Sequence, residues 1–377
     1  MQKKRKKKYK LKKPLVTLIQ ILAVICVICA AVFIWYRQNI NTIMNHGYTR
    51  EASREIFRNG KKDWALSRPF AETLNAAFES NYWIEENLES YFRIEFQDHE
   101  NLIPNINSLI EREYSNTQIS IILSRGSDSE VAEFAKRDRE RFVEEILSIE
   151  FSRLRYYDRY IAYMNETGFT ERTAVLHVNL NMDIEEYVDP VIVDGNSDHP
   201  LVNRRFGLAD DFSPNDLVII ADEFTNTEQR GRKKAVDALM KMFEEAEQEG
   251  LSFFVNSAYR SFEEQQEVYE TFLGLYGQNF VNNFVARPGH SEHQTGLGFD
   301  LGSRNSNVFR DSREFLWMME NAHRFGFIQR YQARHQLITG FRDEPWHFRY
   351  VGVEIAEYIF ERGISFEEYY ILYLDIR

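Results

Sequence analysis

The stretch Arg287-Pro-Gly-His-Ser-Glu-His-Gln-Thr-Gly-Leu-Gly-Phe-Asp-Leu-Gly302 sets the reading of the chain. Its second half alternates: Leu297, Phe299 and Leu301 share one face of a period-two pattern, so residues 296–302 read as a short strand with Asp300 on the opposite face. His293 precedes Asp300 by seven residues, and an odd spacing sends two side chains to opposite faces of a regular strand. For both to reach one site the backbone must break between them. Gly296 is the residue that allows it to turn.

Downstream, Glu344-Pro-Trp-His347 forms a second cluster. Pro345 disfavours helical geometry at Glu344, so Glu344 and His347 are not the two ends of a helical turn, and the H-E-x-x-H arrangement is excluded. Catalytic zinc sites take three ligands from His, Asp and Glu and keep a position for water, while a further carboxylate serves as base. His293, Asp300 and His347 are the candidate ligands and Glu344 the candidate base. On spacing alone, a lone histidine on a mixed face is more often a satisfied structural residue than a ligand.

The flanking sequence predicts the scaffold. Leu217 to Ala221 and Leu251 to Asn256 read as strands, separated by an amphipathic helix over 232–249 that Gly250 ends. Ser261 with Glu264 forms a capping box opening a helix that carries Gln265 and runs to about Tyr276, which puts Arg260 at a strand-to-helix turn. A helix over 312–325, strands at Phe327-Ile328 and at Trp346 to Val351, and a last helix from Val353 to Arg362 follow. Short strands irregularly mixed with helices predict an α+β fold: a small antiparallel sheet with flanking helices carrying the metal site.

The other half of the chain is different in kind. Nine of the 46 basic residues lie within Met1 to Lys13, leaving the rest of the chain at net −21. So acidic a body does not fit nucleic-acid binding through phosphate neutralisation, and no nucleic-acid partner is expected. Pro14 to Tyr36 is 23 residues without formal charge, roughly 34 Å of helix, which predicts a transmembrane helix in contact with the lipid bilayer. The alternative is a signal peptide that is removed. The basic run before the span places residues 1–13 as a cytoplasmic tail and the remainder outside the cell membrane. Both cysteines, Cys26 and Cys29, fall in the span, so the exported body has no disulfide framework. Residues 37–170 are rich in helical periodicity and read as a helical extracellular stalk. Ser127 and Glu130 form a capping box there, and Val131, Phe134, Phe142, Ile146, Ile149, Leu154 and Ile161 follow as one apolar face. A boundary near Thr170 leaves 171–377 as the domain with the chemistry.

Three segments resemble the VanY-type D-alanyl-D-alanine carboxypeptidases, zinc peptidases of the M15 family: Ser-Ala-Tyr-Arg-Ser at 257–261, Arg-Pro-Gly-His-Ser-Glu-His-Gln-Thr-Gly-Leu at 287–297, and Glu-Pro-Trp-His-Phe-Arg-Tyr-Val-Gly at 344–352. The resemblance covers roughly Val175 to Gly363. It implies Zn2+ held by His293, Asp300 and His347, with Glu344 as general base. It also implies that Arg260 and Gln265 hold the terminal carboxylate and backbone of a peptidoglycan stem peptide ending in D-alanine, with Ser291 a weaker candidate for the same work. Trp346, by residue type, reads as a pocket wall, although an aromatic in a strand is first of all core. Gly298 departs from the family pattern, which commonly has alanine there. An L,D-carboxypeptidase acting on the tetrapeptide, and a zinc-containing wall-binding module without turnover, are the competing readings.

Overall fold

The computed structural model describes residues 13–184 and 187–374. The basic run at 1–12 lies outside the described residues. The chain divides into two compact units, residues 1–147 and 148–377.

The first unit is helical. Its opening helix, Lys13–Asn45, is long and apolar enough to cross a membrane, with a mean hydropathy of 2.9 in its most apolar window and none of that window buried. Length and composition of this kind suit a membrane anchor or a signal sequence alike. The same helix continues past the apolar stretch: Ile40 and Ile43 are buried, and Trp35 and Tyr36 pack edge-on against Phe57 of helix Arg50–Arg58. Short helices follow, including Glu72–Glu79, Leu102–Glu111, Asn116–Arg125 and Asp128–Phe134. They bury Ile56, Leu74, Phe78, Ile106, Leu109, Ile122 and Val131. The region read as a stalk therefore has a core of its own.

The Ser127 capping box forms as expected. The single apolar face continuing from it does not. The helix ends at Phe134, Phe142 is half exposed with a left-handed φ of 59°, and a new helix begins at Val143. Leu154 and Ile161 lie in the second unit. There Tyr160 of helix Tyr157–Thr167 donates its hydroxyl to Asn179 of helix Glu171–Asn179 at 2.7 Å, and Thr170 is the N-cap of the latter. The compact division thus precedes the boundary read near Thr170. Periodicity identifies a buried face but not the core it turns toward.

In the second unit two minor ladders, β1 (Val191–Ile192) with β2 (Phe206–Gly207) and β3 (Leu217–Ile219) with β4 (Arg230–Arg232), accompany the main sheet. That sheet holds β5 (Phe253–Ser257), β6 (Gly298–Ser303), β7 (Phe327–Tyr331) and β8 (Glu344–Tyr350) in the antiparallel order β5-β6-β8-β7. Val255, Phe299, Leu301, Phe327 and Phe348 form a core with Leu239, Met242 and Phe243 of helix Lys233–Gln248 and with Trp317. The alternation read from Leu297 to Leu301 is therefore the core face of the central strand. The register pairs Phe299 with Phe348 and Asp300 with His347, so packing of the apolar pair also fixes the polar pair on the other side of the sheet. Mixed helix and sheet, with an apolar N-terminal helix, is the architecture expected.

Candidate metal and catalytic site

His293 sits on a 3-10 turn, Glu292–Thr295, rather than on a strand. Ser291 starts the turn, its Oγ accepting from the His293 amide at 3.3 Å, and Gly296 ends it in the left-handed conformation at φ +67°. This is the break that the spacing of His293 and Asp300 requires. The His293 Nδ1 donates to the Ala258 carbonyl at 2.6 Å, which leaves Nε2 bare and 3.4 Å from Asp300 Oδ2. His347 uses its ring the other way round: Nδ1 lies 2.9 Å from Asp300 Oδ1 and Nε2 lies 3.4 Å from Glu292 Oε2. The two imidazoles are nearly perpendicular, with centroids 5.0 Å apart.

Donor atoms of His293, Asp300 and His347 all lie within 4.8 Å of one another. Ligands about 2.0–2.2 Å from a tetrahedral zinc stand roughly 3.3 Å apart, close to the 3.4 Å between His293 Nε2 and Asp300 Oδ2. Each imidazole also has a second acceptor on its far nitrogen, the arrangement that orients metal-binding histidines. The donor set, its spacing and its outer partners all fit a zinc ion.

Glu344 opens β8, opposite Tyr331 and beside a register shift between Gln329 and Tyr331. Its Oε2 is 4.0 Å from His347 Nδ1. Burial pushes the Glu344 carboxyl up to about 8, against the pull of His347 and with the help of the Asp300 and Glu292 charges. A divalent cation at the neighbouring donors favours its ionised, proton-accepting form. Burial also disfavours the His347 imidazolium, but the Asp300, Glu292 and Glu344 carboxylates outweigh it and hold the ring up at about 9. For Asp300 the cost of burial is likewise outweighed, here by the two histidines, and its carboxyl stays well below the usual range.

Arg260 lies between β5 and helix Phe262–Tyr276, whose capping box forms through Ser261 and Glu264 as expected. Its guanidinium donates to Gln265 Oε1 at 2.5 Å and to Ser257 Oγ at 2.8 Å. Gln265 is buried and gives its own amide to the Ala286 carbonyl at 2.7 Å, so both ends of that side chain are engaged inside the protein and it acts on the pocket by fixing Arg260. Arg260, Gln265, Ser291, His293, Asp300, Glu344, Trp346 and His347 line one cavity of about 400 Å3. Trp346 is 40% exposed, a pocket wall rather than core. Outside the cavity, His335 is buried with Nε2 3.2 Å from the Gly363 carbonyl, and His323 stacks on Phe360.

Sequence reasoning missed an aromatic wall and a buried charge cluster. Phe272, Phe280 and Phe284, from helices Phe262–Tyr276 and Gln278–Phe284, stack along one side of the cavity, and Tyr331 stands 5.0 Å from the His347 ring. Behind His347, Glu292, Arg330, Arg349 and Glu367 are fully buried together. An available signal was the arginine inside each of two apolar strand segments, because a buried guanidinium demands a buried acid.

An antiparallel sheet that brings two histidines and an aspartate together beside a buried glutamate has the donor set of a metal-dependent hydrolase. Residues 228–353 match the family described as VanY, D-alanyl-D-alanine carboxypeptidase. The putative carboxypeptidase YodJ of Bacillus subtilis (strain 168) is 38% identical over 179 residues, 45% of this chain and 66% of the relative. A D-alanyl-D-alanine carboxypeptidase of Enterococcus faecalis (strain ATCC 700802 / V583) is 38% identical over 145 residues, covering 35% of this chain and 52% of the relative. The solved structure of a mutant vancomycin-resistance D,D-pentapeptidase VanY from a VanB-type cassette, in complex with Zn(II), is 32% identical at a TM-score of 0.41, covering 46% of this chain and 99% of that one. A VanY-type carboxypeptidase domain thus occupies residues 228–353, within the second unit. The chain spans between about half and two thirds of the length of the curated relatives it matches.

Proposed function

We propose that the protein is a zinc-dependent carboxypeptidase that removes the terminal D-alanine from peptidoglycan stem peptides. The observation that carries this reading is the gathering of a three-donor cluster, a buried glutamate and an anchored guanidinium in one cavity. His293, Asp300 and His347 would hold the zinc, which when bound would supply Lewis-acid polarisation of the peptide carbonyl and a more acidic water. Glu344 accepts a proton from the attacking water through its carboxylate and returns it to the departing amine. Arg260, kept in place by Gln265 and Ser257, grips the terminal carboxylate of the peptide and so selects the last bond of the chain. Ser291 is within the same wall, and Trp346 with the phenylalanine stack excludes water from the bond being cut.

The helix Lys13–Asn45 anchors the protein in the bilayer with the N-terminus in the cytoplasm and residues 37–377 outside, by the excess of basic residues before the span. Residues 37–147 then act as a membrane-proximal helical unit and residues 148–377 as the peptidase.

The test is mass spectrometry of stem pentapeptide and tetrapeptide incubated with the detergent-solubilised full chain, with and without a chelator. Loss of one D-alanine from the pentapeptide alone, abolished by chelation, is the expected result. Trimming of the tetrapeptide instead places the protein in the L,D class. Stoichiometric zinc binding with neither peptide cut favours the wall-binding module.

A further inference from the structure

His347 presents Nδ1 to the Asp300 side of the site, so its Nε2 must be satisfied from behind. The acceptor there is Glu292 Oε2, at 3.4 Å. Glu292 is not free to choose its position. Its other oxygen accepts from Arg330 Nε at 2.8 Å and lies 3.1 Å from Arg349 Nη1. Arg330 in turn sets both terminal nitrogens in a fork on Glu367, at 2.9 and 2.6 Å. Arg349 is tied to the Pro200 carbonyl at 2.9 Å and the Tyr350 carbonyl at 3.1 Å. All four charged side chains have no exposed surface.

Two acids and two arginines cancel in formal charge, yet apolar residues of similar volume commonly serve stability as well or better than a buried ion cluster. What apolar residues cannot do is hold an imidazole in one tautomer and one rotation. The turn that carries Glu292 also carries His293, so a single turn supplies one metal donor and orients another. Glu367 comes from the short C-terminal helix Phe366–Tyr369, outside the family-matched residues 228–353.

We propose that Glu292 is a positioning residue for the His347 donor, and that Glu367 acts on the same donor through Arg330 and Glu292. The inference rests on the zinc reading above. It makes the C-terminal segment part of the metal site although none of its described residues lines the cavity.

The test uses the full chain in detergent, stripped of metal, with zinc affinity measured by competition against a fluorescent chelator. Glu292→Gln is expected to weaken zinc binding about 10- to 100-fold, the range for loss of an outer partner of a metal-bound histidine. Glu367→Gln is expected to weaken it in the same direction by less, and the double variant to bind no more weakly than Glu292→Gln alone, since the two act along one path. Co(II) absorption of the variants reports the changed coordination independently of turnover. If the parent chain binds no zinc, the functional reading and this inference both fall. A folded Glu292→Gln chain that binds zinc within twofold of the parent overturns the inference and leaves the function standing. Should Glu292→Gln not fold, histidine 15N spectra of the zinc-loaded parent decide: His347 carrying its proton on Nε2, hydrogen-bonded, supports the proposal, and a proton on Nδ1 overturns it.

Discussion

Two clusters of buried charge lie on opposite sides of His347 and differ in how they are balanced. Behind the ring, Glu292, Glu367, Arg330 and Arg349 form a closed set in which each carboxylate has a guanidinium nitrogen within 3.1 Å. In front, Asp300 and Glu344 share the space with two imidazoles, and burial drives Glu344 up to about 8 instead of finding it a partner. Both sets draw on the main sheet, Arg330 and Arg349 from β7 and β8, Asp300, Glu344 and His347 from β6 and β8. The difference is that the rear set is complete with protein atoms and the front set has room for a cation. Charge balance, more than burial, separates scaffold from site.

Breaking the front set should have the largest effect. Glu344→Gln is expected to lower kcat for D-alanine release by about 100- to 10,000-fold, the contribution typical of general acid–base catalysis, with zinc affinity retained. Steady-state kinetics beside chelator competition separates those two quantities. Breaking the rear set should act on stability: Arg330→Met leaves Glu292 and Glu367 buried without their shared cation, and about 3–5 kcal/mol is expected to be lost in denaturant unfolding.

Zinc addition sharpens the contrast. At a free concentration 100 times Kd, zinc should stabilise the metal-free parent by about 2.7 kcal/mol and leave His347→Ala nearly unchanged, as read by thermal unfolding. A smaller effect is expected from His290, which belongs to neither set. It is buried, Nδ1 donates to the Asn203 carbonyl at 2.7 Å, and burial pulls its imidazole below the ordinary value. A histidine depressed in the folded state binds fewer protons folded than unfolded, so its contribution is present above about pH 6.5 and is lost as pH falls through its folded value. The melting temperature should therefore drop between pH 7.5 and 5, and His290→Asn should flatten that drop.

The front set was legible in the sequence because it depends on local features. Alternation at Leu297, Phe299 and Leu301 located the strand, Gly296 located the break, and the capping box at Ser261 located Arg260. The rear set was not legible: Glu292 and Glu367 are 75 positions apart, and only the folded sheet brings Arg330 between them. The packing of the helical region is hidden from the sequence for a related reason. Its apolar residues repeat at helical spacing, but Phe142 turns outward and Leu154 belongs to a different core, which periodicity within a segment does not distinguish.

One feature of the N-terminal unit has a mechanical side. The helix that carries the apolar stretch does not end at Tyr36 but runs on to Asn45, and Ile40 and Ile43 of its last turns are buried among the helices that follow. The helix runs unbroken from the apolar stretch into that core. In a bilayer such a helix is a torsionally stiff post, and any rotation about its long axis turns the first unit as one piece. With the apolar stretch in a bilayer, the tilt of this helix would set the height of residues 46–147 above the lipid, as a flexible leash would not.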